Sequence, residues 1–509
     1  MSRAAAARRA APEVPLGGRV AAERPVRAGV LVCVALLIGA CRDGPLAPGA
    51  RAPSVSEVVV TANAENSLSG YVTFTIRGAD SARVRCQDDQ GATPPSPFNP
   101  VGDGTVRLVL LGLPRNAHCA VVVVATGAGG TSISTPAPFV AGDLPGPLQD
   151  VRLDLTSGSA STPGGYTLLE VTRDTVAFIA AFDSTGSIRW YRRFSLSPGE
   201  LAINAAQQPN GDFTVFIGIS TGADPSFGRF YEVRPDGGLV RTWTAPPPYY
   251  TDPHELLVED QGAMPARAHL FGYQLRPTDL TAFGGTADEL LAGHAIIRQA
   301  ESGAMDFLWN TWDHFSLSDW LFMPPALGAQ VADFDHTNSL AIARDGNYLV
   351  SFAALGQIAK VDAVTGRVLW RLGGRASQFS IVGDPLGGFG PQHDVRELAN
   401  GDLLLFDNGL LHTPAESRAV EYRLDTVAMT ATMVWEYRHS PPLVAPFVGS
   451  ARRLGNGHTL VGFGALSRVV DVAPDGSVAW EGQLTIGGQP AQLFYRATRV
   501  LSLYHFEQP

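Results

Sequence analysis

Two histidines and one asparagine recur at a single phase of a repeated strand pattern in this 509-residue chain, and a third histidine stands two residues from it. His254 lies eight residues before Gly262, and His393 lies eight before Gly401. Between them Asn338 lies eight before Gly346, with His336 two residues earlier. Residues i and i+2 of a strand share a face, so His336 and Asn338 are expected to point the same way. Arg452, five before Gly457, is expected to add a cation near the same rim. Neutral imidazoles grouped with an amide can bind a metal, stabilise an oxyanion, or supply a nucleophile and its acid–base partner. A zinc site wants three or four tightly placed ligands. Three histidines from separate repeats with an asparagine suit that less well than nucleophilic chemistry, so neither metal nor cofactor is expected. Asp394, the neighbour of His393, is expected to fix that ring's tautomer.

The elements that must position these residues are strands. From residue 151 onward a turn and an apolar strand pair lead repeatedly to a tryptophan: Trp190, Trp243, Trp309, Trp370, Trp435 and Trp480. A second punctuation opens most units, at Asn210-Gly211, Asp345-Gly346, Asn400-Gly401 and Asn456-Gly457, with Gln261-Gly262 a weaker version. Such pairs favour the positive φ of tight hairpin turns. The two marks keep in phase, and together they predict a six-bladed β-propeller over residues 151–509. Equivalent positions on the innermost strands then ring one channel, which brings His254, His336, Asn338 and His393 to one mouth. Residues 53–143 read as short alternating strands, predicting a small β-sandwich of immunoglobulin or fibronectin type. The Pro/Gly-rich stretch 142–150 reads as the linker between the two, and the expected fold class is all-β.

Composition narrows the function classes. Charged residues are only 17%, with a net charge of −10 and a single lysine, Lys360. No basic stripe exists to neutralise phosphates, so nucleic acid is not an expected partner. Residues 1–40 carry six arginines against two glutamates, followed by the apolar run AGVLVCVALLIGA and then Cys41. This is the layout of a lipoprotein-type signal peptide, with lipid on Cys41 as the membrane anchor. The expected location is outside the cytoplasm, on the periplasmic or cell-surface side of a membrane. Cys86 and Cys119 then remain, and an oxidising compartment allows them to form a disulfide.

Three segments carry a resemblance to a known family: DFDHTNSLAIARDGNYLVS (333–351), KVDAVTGRVLWRLGG (360–374) and FGPQHDVRELANGDLLLFDNG (389–409). Together with RRLGNGHTLVGFG (452–464) and the DPHELL around His254, they resemble the bacterial arylsulfotransferases (aryl-sulfate sulfotransferases). The resemblance implies sulfuryl transfer from an aryl sulfate donor to a phenolic acceptor without a nucleotide. It makes His393 the nucleophile, forming a sulfo-histidine. His336 and Asn338 become donors to the sulfuryl oxygens, and His254 the acid and base. One departure stands out: where the family places an arginine after the Ser of the next strand, this chain has Ala353. Arg375, Arg396 and Arg452 are the candidate replacements. Two alternatives follow: a catalytically weakened propeller that binds sulfated or phenolic ligands, or a quinone-dependent dehydrogenase-like propeller suggested by the D-x-x-T-G-x-x-x-W repeat.

Overall fold

The computed structural model describes residues 51–88, 93–158, 165–219, 228–260, 265–321 and 331–504. Segment 1–40, Cys41 and the Gln261-Gly262 turn lie outside the described residues. Within them the chain is all-β, without an α-helix, and no helix is long and apolar enough to cross a membrane.

Alternation builds the N-terminal part. In Gly70–Arg77 the residues Val72, Phe74 and Ile76 share one buried face. They meet Val84 and Cys86 of Ser81–Asp88, and Val121 and Val123 of His118–Gly127, in one apolar cluster. The strands divide between two sheets, one holding Ser54–Ala62, Gly70–Arg77 and Gly104–Leu110. Pro136, which has no N–H to give a ladder, separates Gly130–Ile133 from Ala137–Val140. Cys86 and Cys119 are bonded, joining neighbouring strands of the same sheet. The 142–150 stretch is not a free tether. Its Leu144 and Leu148 are buried with Leu153, Phe178 and Trp480 of the following region.

From Tyr166 the strands form six sheets in chain order. The first strands of five of them are Glu200–Gln207, Tyr250–Glu259, Thr337–Ile342, Gln392–Glu397 and Ser450–Arg453. In the remaining sheet the C-terminal strand Thr498–Val500 takes the edge position beside Tyr166–Arg173. Each of the six tryptophans falls on the fourth strand of its sheet, counted from this edge. Trp190, Trp243, Trp309 and Trp480 are buried there, whereas Trp370 and Trp435 are half-buried. The indole of Trp190 donates to Pro235 O, and that of Trp309 to Gly366 O, so each ties its sheet to a turn of the next.

The punctuating glycines join first strands to second. At Gly211, Gly346, Gly401 and Gly457 the amide closes on the carbonyl three residues back, with φ between 80° and 89°. Positive φ belongs to the glycine alone and not to the preceding Asn or Asp, as in a type I turn followed by a left-handed residue.

Successive first strands touch one another: Glu200–Gln207 meets Tyr250–Glu259, which meets Thr337–Ile342, then Gln392–Glu397, then Ser450–Arg453. The circuit closes where Ala497 N–H donates to Ser450 Oγ and Thr498–Val500 contacts Glu200–Gln207. Four first strands break register at one level, between Ile203 and Ala206, Thr251 and Leu256, Thr337 and Ser339, and His393 and Arg396. Bulges of this kind re-aim side chains, and the functional candidates sit at these breaks.

Candidate functional site

His254, His336 and His393 converge as their spacing predicted. The His254 and His336 rings lie 4.9 Å apart between centroids, and those of His336 and His393 lie 6.4 Å apart. Tyr495 stands beside both flanking rings, at 5.7 Å from His254 and 6.5 Å from His393. The three rings share one design: Nδ1 is held by a protein acceptor, and Nε2 has no protein partner among the described residues. Asp252 Oδ1 holds His254 at 2.8 Å, Asp333 Oδ2 holds His336 at 2.7 Å, and Asn408 Oδ1 holds His393 at 2.7 Å.

The orientation of Asn408 is fixed independently of His393. Its amide nitrogen donates to Ala445 O at 2.8 Å and Val448 O at 2.9 Å, so the oxygen must face the ring. An acceptor facing Nδ1 puts the proton there, which leaves the lone pair of a neutral His393 on Nε2. Neighbouring Asp407 pins this stretch, accepting from Gly390 N, Gly409 N and Arg418 Nε. Gly409 has φ +68°, and a Cβ there would lie 1.8 Å from Glu416 O, so only glycine turns the chain after Asn408.

The charges of the rings differ. Burial, followed by the nearby His336 charge, holds His393 well below the ordinary histidine range. Burial likewise lowers His254, although Asp252 opposes it. For His336, Asp333 outweighs burial and raises the pKa. The site therefore sets a tautomer-locked imidazole held toward its neutral form next to one held toward its charged form.

Behind the rings His294 joins two of the holding carboxylates. Its Nε2 lies 3.2 Å from Asp252 Oδ2, its Nδ1 bonds Asp335 Oδ1, and Asp333 Oδ1 is 3.9 Å away. Asp335 and Asp252 raise the His294 pKa well above the usual value despite burial. Donor atoms of His294, Asp333 and Asp335 lie close enough to hold a cation. In this arrangement, however, imidazolium N–H groups already neutralise the carboxylates.

Other expectations are corrected. Asn338 is fully buried, and its amide nitrogen donates to Gln392 O at 2.7 Å, bracing the strand that carries His393, while its Oδ1 has no partner among the described residues. Asp394 does not orient His393. Its φ of +54° turns the carboxylate toward Arg452, Arg396 and Arg496. Arg396 and Arg452 belong to that ionic layer, and Arg375, past the far edge strand of its sheet, donates to Trp320 O. None of these three arginines stands in for the one missing at Ala353, which is itself buried with its N–H on His336 O.

Sequence reasoning missed Asn408, Asp252, Asp333, His294, Tyr495 and Arg496. A signal existed for the first three. Asn408 closes the F-D-N-G motif, and an aspartate stands two residues before His254 and three before His336. Tyr495 and Arg496 lie where the repeat marks cease. Arg496 is fully buried and donates to Asn204 Oδ1, Glu255 Oε1 and Asn338 O.

A family model described as Arylsulfotransferase (ASST) matches residues 221–485. No curated protein matches the chain. Among solved structures, a protein of unknown function from Bacteroides caccae is similar at 14% identity, covering 66% of this chain and 100% of its own, with a TM-score of 0.42. Virginiamycin B lyase from Staphylococcus aureus is similar at 12% identity, covering 85% and 99%, with a TM-score of 0.29. Apo AztD from Citrobacter koseri is similar at 11%, covering 82% and 98%, with a TM-score of 0.25. Superpositions this loose carry no argument about activity.

Proposed function

The chain belongs to the arylsulfotransferase family, and from that premise we propose that it moves a sulfuryl group from an aryl sulfate to a phenol through His393. We read the six sheets as blades of one propeller, with the touching first strands as its inner ring. The strands of 53–143 are read as an immunoglobulin/fibronectin-like sandwich. The observation that carries the mechanism is the lock on His393: Asn408 holds Nδ1–H, and burial keeps the ring neutral, so Nε2 is an available nucleophile.

In the first half-reaction Nε2 bonds to sulfur as the S–O bond to the aryl group breaks. The electron pair leaves with the phenolate, which takes a proton from the imidazolium form of His254, the form that Asp252 favours against burial. In the second, an acceptor phenol returns a proton to His254 as its oxygen bonds to sulfur. The N–S bond breaks, and its pair returns to Nε2. The raised pKa of His336 supports a cation facing the sulfuryl oxygens, the part the resemblance assigns to an arginine where this chain has Ala353. Asn338 serves as a positioning residue through Gln392 O.

Ala353 alone favours the second reading, a propeller that binds aryl sulfates without turnover. Mature protein mixed with 4-nitrophenyl sulfate separates the two. The expected result is a burst of about one equivalent of nitrophenol, steady turnover on adding phenol, and neither in His393→Ala. Folded protein with no burst and no turnover would leave only the binding reading.

We further propose that lipid on Cys41 tethers the protein outside the cytoplasm. The basic and apolar run in 1–40 supports this, as does the Cys86–Cys119 bond, which an oxidising compartment permits. Cys41→Ser should move the protein from the membrane fraction to the soluble one; an unchanged distribution would refute the anchor.

A further inference from the structure

At the other end of the first strands lies a cavity of about 550 Å3 that none of the three site histidines lines. Its wall comes from the later residues of those strands, among them Leu257, Ile342 and Thr498, with Pro209 from the first hairpin turn. On its floor stand Arg396, Arg452 and Arg496. Only two carboxylates answer these three guanidinium groups, Glu255 and Asp394. Nearer the rim Asp260 is paired with Arg241 at 2.7 Å, and the half-exposed Glu259 stands 3.1 Å from the His269 ring. On the floor itself, among the described residues, three guanidinium groups face two carboxylates.

The guanidinium charge is accessible at one residue. Arg496 is fully buried and bonded on both terminal nitrogens. Arg396 gives its terminal nitrogens to Leu340 O and Glu255. Arg452 gives only Nε, to Asp394 Oδ2 at 2.7 Å. Its terminal amino groups have no hydrogen-bond partner among the described residues, and its side chain is 29% exposed. Burial and the like charge of Arg396 push its pKa down to about 10, the mark of a cation short of compensation. A guanidinium presents a planar fork suited to a two-oxygen anion. The volume lies within the range of small-molecule pockets, roughly 300–1,000 Å3, which are mostly apolar with few polar anchors.

We propose that this cavity is a second, non-catalytic binding site for an aromatic monoanion (a sulfonate, sulfate or carboxylate). Its charged group sits on the free fork of Arg452, and its ring lies against Ile342, Leu257 and Pro209. The site does not rest on the transfer reading, because none of the three site histidines lines it.

Calorimetric titration of the full chain with 2-naphthalenesulfonate tests it, since the C–S bond of that probe keeps it from acting as a donor. The expected result is a binding component that weakens at least tenfold in Arg452→Gln and also in Ile342→Trp, which fills the cavity from an exposed wall. Ile342→Trp should keep wild-type turnover of 4-nitrophenyl sulfate, if the protein turns it over. No binding to the wild type, or binding left unchanged in either variant, overturns the proposal. A protein that binds this way yet transfers nothing would keep this site and lose the transfer reading.

Discussion

The most informative single side chain is Asn408, because its amide reads out in the chemistry of another residue. Two carbonyls hold its nitrogen, so its oxygen sets the His393 tautomer, and an amide does this without adding charge. A carboxylate would hold the same proton but would also stabilise the imidazolium. In Asn408→Asp the His393 pKa should therefore rise from its depressed position. The active form of His393 is neutral, so activity is lost as pH falls through that pKa. The acid limb of kcat/KM should move to higher pH, and the variant should lose more of its rate on acidification than the wild type. A variant merely damaged by losing the bonds to Ala445 and Val448 would be slower by the same factor at every pH. A pH profile of unchanged shape would remove Asn408 from the mechanism.

At the scale of elements, a buried carboxyl joins three strands and loops around the site. Glu170, on Tyr166–Arg173, accepts from Ala205 N on one side and Tyr495 N on the other. Burial pushes it up to about 7 in spite of those bonds. A folded-state pKa above the unfolded value means a contribution fully present below about 4.5 and lost as pH rises through about 7. At roughly 1.4 kcal/mol per unit, the loss is about 3 kcal/mol. The melting temperature should fall between pH 5 and pH 8, and Glu170→Gln should flatten that dependence; an equally steep fall in the variant would place the titrating group elsewhere.

Neither Glu170 nor Tyr495 was legible in the sequence, and the reason is physical. The strands and their turns announce themselves because each repeats a local requirement: a left-handed glycine at the hairpin, a large anchor on the outer strand, and histidines at fixed distance from the glycine. Residues that close the centre meet their partners only through long-range packing, and Arg496 reaches Glu255 across 241 positions. The bulges were hidden for a similar reason. Alternation predicts which face a residue takes, but not where one extra residue resets it, and this is why Asp394 turned away from its expected direction.

The whole molecule depends on where its chain ends meet. Val151–Gly158 pairs with Val478–Ile486 in the last sheet, while Thr498–Val500 completes the first beside Tyr166–Arg173. The ends thus interlock over two sheets, and the segment between these closures carries Phe494, Tyr495, Arg496 and Ala497, all buried. Deleting residues 491–509 would remove these together with Val500, Leu503 and Tyr504. Each large apolar side chain contributes about 1.5–3 kcal/mol when buried, so the loss is on the order of 10 kcal/mol, comparable with the whole net stability of a domain. It would also leave Glu255 and Asp394 without Arg496. The Cys86–Cys119 bond is a useful contrast, since it closes only a sequence separation of 33 within the N-terminal sheets. Replacing both cysteines with serine should cost about 2–4 kcal/mol and leave transfer at its wild-type rate. The truncated chain, by contrast, should show no cooperative melting transition. If it melted cooperatively near the wild-type temperature, closure would be dispensable, and the central residues would owe their positions to each sheet separately instead of to the ring.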